Sequence, residues 1–389
     1  MNAEKLKAMQ EAIRGEGLDG WLFCNFRHRD KLADEILRIN PGTTNSRLWV
    51  YAVPASGRPL GILHAIENDS LGDLPGDRVS YRSREEFLSC LEPLAGKRWG
   101  THVSESITAL SYLDAGTAAV FEKAGLIPMS AAGLLQRFKG LLDGRDIQAH
   151  EQAADHLYEI VKTAWAMVRE SYGRKNRLFE GEIQELMLME MKRRNLVTDH
   201  APIVAAGANS GNPHYDLIGG GGLIKQDDVI QFDLWAKDSK IGGIYADISW
   251  VGVYGPRPRP EAEKAFAELV SAREGAWEYI RQELAAGRRP SGADVDRKAR
   301  EILIGLGYEQ AICHRTGHGI DTEVHGAGVN MDSVEFPDSR LLLDGACFSL
   351  EPGIYFSGFG MRTEIDVYIK DGKPVVSGQD RQFQLLTCG

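Results

Sequence analysis

Apolar positions along this chain switch between two periods. Leu6, Met9 and Ile13 recur at helical spacing among charged neighbours and predict a helix over residues 3–15. The apolar run Trp21-Leu22-Phe23-Cys24 follows the turn dipeptide Asp19-Gly20 and reads as a strand. Leu48 to Val53 and Leu60 to His64 read likewise, separated by Gly57 and Pro59. Helical patterns return over 84–91 and 117–124, and the amphipathic stretch 131–142 ends at Asp143-Gly144. The alternation predicts an α/β domain over residues 1–147. Its boundary falls where turn chemistry at 143–150 precedes a long helical pattern over 150–172.

Residues 148–389 are expected to form a second, α+β domain. Helices are predicted over 180–195, 261–286 and 293–306, the last opened by a Ser291/Asp294 capping pair. Four runs of strand character lie between and after them, at 229–236, 245–253, 346–351 and 361–369. Gly219–Gly222 lacks the strand before and the GK[ST] after that a phosphate loop needs, and reads as a flexible turn.

The four strand runs carry the chemistry, because successive side chains point to opposite faces. Asp233 shares a face with Gln231 and Trp235, against Ile230, Phe232, Leu234 and Ala236. Asp247 and Ser249 oppose Ala246, Ile248 and Trp250; Ser349 and Glu351 oppose Phe348 and Leu350. Arg362, Glu364 and Asp366 oppose Met361, Ile365 and Val367. Each run thus offers an apolar back and a carboxylate on its front. Taken singly, such an acid is a solvated strand residue, and parity does not show that the runs share a sheet. If the fronts converge, so many carboxylates in one space require protons or cations to neutralise them. Two divalent ions balance four carboxylates, and His318 in Arg315-Thr316-Gly317-His318-Gly319 could add an imidazole. Oxygen-rich ligation with one imidazole suits manganese, cobalt, iron or zinc, and a metal pair can activate water and polarise a carbonyl.

Composition narrows the classes further. The 389 residues are 43% hydrophobic and 26% charged, an ordinary globular balance long enough for two domains. The net charge of −10 comes without a basic block, which argues against a nucleic-acid partner. No apolar run reaches membrane-spanning length, and the N-terminus lacks the apolar core of a signal peptide. Five scattered cysteines without a CxxC pair point to a reducing cytoplasm rather than a disulfide scaffold or zinc ribbon. GxSxG and HExxH are both absent, so serine-hydrolase and zincin readings fail.

Phe232-Asp233, Tyr245-Ala246-Asp247, Thr316-Gly317-His318-Gly319, Leu350-Glu351-Pro352-Gly353-Ile354-Tyr355 and Arg362-Thr363-Glu364 occur in that order. Together they resemble the pita-bread metallopeptidases: methionine aminopeptidase, aminopeptidase P, prolidase and their relative creatinase. The resemblance covers about residues 200–370. It implies an N-terminal creatinase-like α/β domain followed by a C-terminal pita-bread catalytic domain holding two divalent ions, manganese first, with cobalt, zinc or iron as alternatives. Asp233 would bind one ion, His318 and Glu351 the other, and Asp247 and Glu364 would bridge both. The resemblance also implies that His214, in Asn212-Pro213-His214-Tyr215, lines the substrate site. His325 would stabilise the tetrahedral intermediate, and Glu351 would carry a proton to the leaving nitrogen. Arg362 would orient a bridging carboxylate or receive the C-terminal carboxylate of a dipeptide, the second role being favoured. His314 and Tyr355 match as well, with a packed supporting role an equal reading; Cys347 reads as a core cysteine.

The long N-terminal extension favours aminopeptidase P or prolidase over methionine aminopeptidase, and the full ligand set argues against creatinase. The implied activity is hydrolysis of the Xaa-Pro bond of dipeptides or short peptides by a cytoplasmic homodimer, without nucleic acid or membrane as partner. A creatinase-like amidohydrolase or lyase acting on a small molecule, and a catalytically silent binding module, stay open. One departure stands out. Asp233 and Asp247 are spaced more widely than is usual in the family, and the extra residues fall in a lengthened hairpin loop at 237–243. The loop leaves both parities intact but puts the pairing register in question, and it brings in Asp238 as a rival ligand.

Overall fold

The computed structural model describes residues 1–240, 242–378 and 381–389. The chain divides into two compact units, Met1–Lys139 and Gly140–Gly389. This divide precedes the expected 147/148 boundary. Asp143 caps the long helix by accepting from the backbone of Arg145 and Asp146, so that helix begins at Gly144 and residue 147 already lies inside it.

The first unit comprises α1 (Ala3–Gly15), β1 (Gly20–Asn25), α2 (Lys31–Leu37), β2 (Trp49–Pro54), β3 (Leu60–His64), β4 (Asp77–Tyr81), α3 (Arg84–Leu91), β5 (Arg98–Thr101), α4 (Ala115–Lys123), β6 (Ile127–Ser130) and α5 (Ala132–Phe138). Its six strands form one mixed sheet in the order β4-β3-β2-β1-β5-β6. Leu22, Val50, Ala52, Ile62, Trp99 and Phe121 pack together in its core. Helix α2 follows from a cap rather than from a long apolar stripe, the Asp30 side chain accepting from Ala33 N at 2.9 Å.

The second unit runs α6 (Gly144–Arg174), α7 (Glu180–Arg193), β7 (Leu196–Val197), β8 (Ile203–Ala206), β9 (Val229–Asp238), β10 (Ala246–Val253), α8 (Pro260–Ala285), α9 (Gly292–Gly305), β11 (Cys347–Leu350), β12 (Gly353–Tyr355), β13 (Gly360–Arg362), β14 (Ile365–Lys370) and β15 (Lys373–Val376). The expected Ser291/Asp294 capping box opens α9. Strands β10-β9-β7, with β8 also on β9, form one sheet; β11-β14-β15 form a second, and β12-β13 a ribbon. Helices cover the apolar backs. Ile230, Phe232, Leu234 and Ile248 pack with Leu157, Val161 and Trp165 of α6 and Met187 of α7. Phe348, Leu350, Ile365 and Val367 pack with Ala276 and Ile280 of α8 and Val295 and Ala299 of α9. The polar fronts are left to face the opposite way.

Two expectations change. The run 361–369 is not one strand: it breaks after Arg362, so that β13 pairs with β12 and β14 with β11 and β15. Glu364 sits in the break, and its backbone N donates to Ser249 O at 3.3 Å, tying this segment to β10. The hairpin between β9 and β10 keeps a regular register, with Ser249 opposite Asp233 and Asp247 opposite Trp235. Its extra length is taken up beyond the ladder, where a Cβ on Gly243 would lie 2.2 Å from Asp238 O. The Asp238 carboxylate accepts from Lys240 N within that hairpin. Ile241 of the loop lies outside the described residues. Among the described residues, no helix is long and apolar enough to cross a membrane.

Candidate metal centre

The acidic fronts converge from separate sheets. Asp233 projects from β9 and Asp247 from β10, Glu351 follows β11 directly, and Glu364 occupies the break between β13 and β14. His318 reaches them from a loop laid against β11, where its N donates to Ser349 Oγ at 3.0 Å and its O accepts from Ser349 N at 2.9 Å. Gly317 makes that approach possible, since a Cβ there would lie 2.0 Å from Ser349 O. One ligand atom each of Asp247, His318 and Glu364 falls within 4.8 Å of the others, and all three residues are buried. His318 Nε2 lies 3.5 Å from Asp247 Oδ2 and 3.3 Å from Glu351 Oε1. Asp233 joins through Ser249, whose Oγ is 3.1 Å from Asp233 Oδ1 and 2.7 Å from Glu364 Oε2. All five expected ligands, with His214, His325 and Arg362, line one cavity of about 180 Å³.

The electrostatics are those of a site short of positive charge. Burial raises the Asp247 carboxyl well above its ordinary value, and Asp233 and Glu351 push it further. Glu364 is raised well above its own by burial and then by Asp247. Asp233 is raised by burial against the pull of Arg362. Glu351 goes the other way: burial opposes its charge, but His318 and Arg362 outweigh that and bring it to about 2. Asp247 Oδ1 and Glu364 Oε1 are buried without a hydrogen-bond partner. Orphaned carboxylate oxygens facing an imidazole form an oxygen-rich donor set that fits divalent cations.

His325 stands in the cavity with its ring 4.2 Å from that of His318, centroid to centroid, and at 85° to it. Charge on His318, and then burial, push its pKa down to about 3. His314 Nε2 lies 2.8 Å from Tyr355 OH and its Nδ1 2.7 Å from Arg315 O, which makes this pair a packed support. Arg362 is engaged by the protein itself. It pairs with Asp233, donates from Nε to Ser249 Oγ at 3.1 Å, and from Nη1 to Tyr355 OH at 3.3 Å and Pro213 O at 3.4 Å. The guanidinium thus contacts Asp233 and Ser249, whose hydroxyl also meets Glu364.

The structure adds contacts that the sequence does not show. Asp366 Oδ2 accepts from Asp247 N at 2.8 Å and fixes the β10 backbone. His214 is exposed at the cavity on a loop held by Glu180, which is fully buried. The Glu180 carboxylate accepts from Ala206 N at 2.7 Å, Asn209 Nδ2 and Tyr215 OH at 2.9 Å, and Gly222 N at 2.5 Å. The four-glycine run is therefore more than a flexible turn. A Cβ on Gly221 or Gly222 would come within 2.8 or 3.2 Å of the Glu180 side chain, and Gly221 has φ +77°.

Comparison with known proteins gives a consistent result. The sequence profile described as metallopeptidase family M24 matches residues 148–371. The chain is 28% identical over 200 residues to an Xaa-Pro dipeptidase of Lactobacillus delbrueckii subsp. lactis, an alignment spanning 51% of this chain and only 50% of that protein. It is 25% identical over 339 residues to a probable dipeptidase PepE of Mycobacterium tuberculosis, covering 85% and 83% of the two chains. The structure superposes on that of dipeptidase PepE from Mycobacterium ulcerans with a TM-score of 0.73 at 22% identity, over 99% of this chain and 97% of the other. The prolidase from Pyrococcus horikoshii gives a TM-score of 0.63 at 19% identity, over 98% and 99%. At these identities the likeness to solved structures establishes the α/β pita-bread architecture.

Proposed function

The chain belongs to metallopeptidase family M24, and from that premise we propose that it is a dinuclear-metal exopeptidase cleaving the Xaa-Pro bond of dipeptides or short peptides. The observation that carries the proposal is the cluster of buried Asp233, Asp247, His318 and Glu364 with half-buried Glu351, and its orphaned carboxylate oxygens. The name of the Lactobacillus relative supports the choice of bond. The five residues would hold two divalent ions, manganese first, with cobalt, zinc or iron as alternatives. When bound, such a pair supplies Lewis acidity at the scissile carbonyl and lowers the pKa of water.

Contacts support the remaining roles. His325, kept neutral by its lowered pKa, offers one N–H to the oxygen that gains charge as the carbonyl is attacked. Glu351, held by Ser349 Oγ at 2.9 Å, carries a proton to the departing proline nitrogen. His214 meets the peptide at the cavity mouth, and Arg362 acts as a positioning residue for Asp233. We assign this chemistry to residues 148–389 and none to residues 1–147. We place the enzyme in the cytoplasm as a homodimer; its five free cysteines support a reducing compartment. The test is a panel of Xaa-Pro dipeptides and Xaa-Pro-Xaa tripeptides offered to the manganese-reconstituted full chain. Release of the N-terminal residue is expected. Failure on the whole panel, with turnover only of small non-peptide amides, would overturn the proposal.

A further inference from the structure

Among the described residues, one carboxylate lining the cavity stands outside the five-ligand cluster: Asp199, between β7 and β8. It is held in place. Its Oδ1 accepts from the Trp235 indole Nε1 at 2.6 Å, and its Oδ2 lies 3.3 Å from His200 Nδ1. The side chain is still 46% exposed, so its oxygens keep lone pairs open to the cavity. Trp235 sits directly opposite Asp247 in the β9–β10 ladder, and such cross-strand neighbours lie about 5 Å apart at Cβ. The indole therefore flanks a residue of the metal cluster, and the acid is fastened to its N–H edge.

An anion fixed at the rim of an aromatic plate is an arrangement that recognises an organic cation. The ring face attracts positive charge, and the carboxylate accepts charge-assisted hydrogen bonds. Ile203 and Val324 supply apolar wall for an alkyl stem. The cavity's own arginine is paired with Asp233 and leaves Asp199 uncompensated from that side. Burial would raise the Asp199 carboxyl, but the bonds from Trp235 and His200 hold it below its ordinary value, so it is an anion at neutral pH.

We propose that Asp199 and Trp235 form a side-chain subsite selecting peptides whose N-terminal residue is lysine or arginine. The inference rests on the peptidase reading and names its substrate class. The test compares kcat/KM for Arg-Pro and citrulline-Pro, which share a shape and differ in charge, on the metal-reconstituted full chain. Arg-Pro is expected to be favoured about tenfold or more, as for a hydrogen bond between charged groups. Asp199→Asn keeps an amide oxygen for the indole N–H and should bring the ratio close to one. A ratio near one in the unaltered enzyme, or one that survives Asp199→Asn, overturns the subsite. Equal losses on both peptides would place Asp199 on the α-ammonium group they share, and overturn it too. If neither peptide is cleaved by the unaltered enzyme, the peptidase reading is what fails. Calorimetric binding of argininamide against citrullinamide then decides the subsite: the cation's advantage should vanish in Asp199→Asn, and its persistence contradicts the assignment.

Discussion

Each unit buries a cluster of acids and imidazoles, and the two clusters are built to opposite ends. In the first unit, Asp30 Oδ2 lies 2.6 Å from His102 Nδ1 and its Oδ1 accepts from Ala33 N. Asp34 Oδ2 lies 2.7 Å from His28 Nδ1, and its Oδ1 accepts from Asn25 Nδ2 at 3.0 Å. Every oxygen of these two carboxylates has a partner within the protein. The carboxylates are thus closed off, though His102 Nε2 is buried without a partner; Arg27 and His28 beside them adopt consecutive left-handed conformations, at φ +57° and +52°. In the second unit, Asp247 Oδ1, Glu364 Oε1 and Asp366 Oδ1 are buried and unpartnered. The residue types are alike, so composition does not separate a structural cluster from a metal site. The unmet acceptors do, because a buried carboxylate oxygen without a donor calls for a cation.

The sharpest break between the two clusters should come from Asp247→Asn. Removing a charge from the open cluster is expected to abolish metal uptake and turnover together, read by elemental analysis and peptide hydrolysis; retained metal with retained turnover would show that Asp247 is no ligand. The matching change in the closed cluster is Asp30→Ala. It should cost about 3 kcal/mol of stability, as for breaking a buried pair, while metal content per folded chain stays as it was. A metal loss comparable to that of Asp247→Asn would erase the distinction between the two clusters. His325→Ala probes the edge of the open cluster. Turnover is expected to fall about a hundredfold, in the range of a lost oxyanion donor, with both ions still bound.

A subtler contrast lies in pH. In the metal-free protein, Asp247 and Glu364 titrate above their ordinary values, chiefly through burial. A carboxyl whose folded pKa is raised contributes stability in full below its unfolded pKa and loses that contribution as pH rises through the folded value. Thermal melts of chelated protein should therefore weaken over the pH window above the ordinary carboxylate range, and bound metal should remove the trend. Chelated protein that grows more stable across that window would contradict the charge deficit.

Much of the open cluster was legible because a strand repeats every two residues. Alternation alone put Asp233, Asp247, Glu351 and Glu364 on polar fronts, and the helices that cover the backs make those fronts converge. The break after Arg362 was not legible, since Thr363 and Glu364 continue the alternation while the backbone changes partners. Asp199 meets Trp235 across a separation of 36 residues, a contact set by loop path and not by local pattern. Glu180 looks like an ordinary first-turn helix acid, and only the folded loop shows the glycine run wrapped around it. In the first unit, α2 has seven residues, and β4 is exposed at four of its five positions, so neither carries a readable apolar stripe.

The five-residue cluster is expected to bind two divalent ions, and peptide hydrolysis to depend on them. Stepwise addition of manganese to exhaustively chelated full-length protein, with bound metal and Xaa-Pro cleavage followed in parallel, tests it most directly. Activity is expected to be absent at the start and to return as the chain takes up two ions. Full Xaa-Pro cleavage by chelated protein in which elemental analysis finds no metal would contradict it.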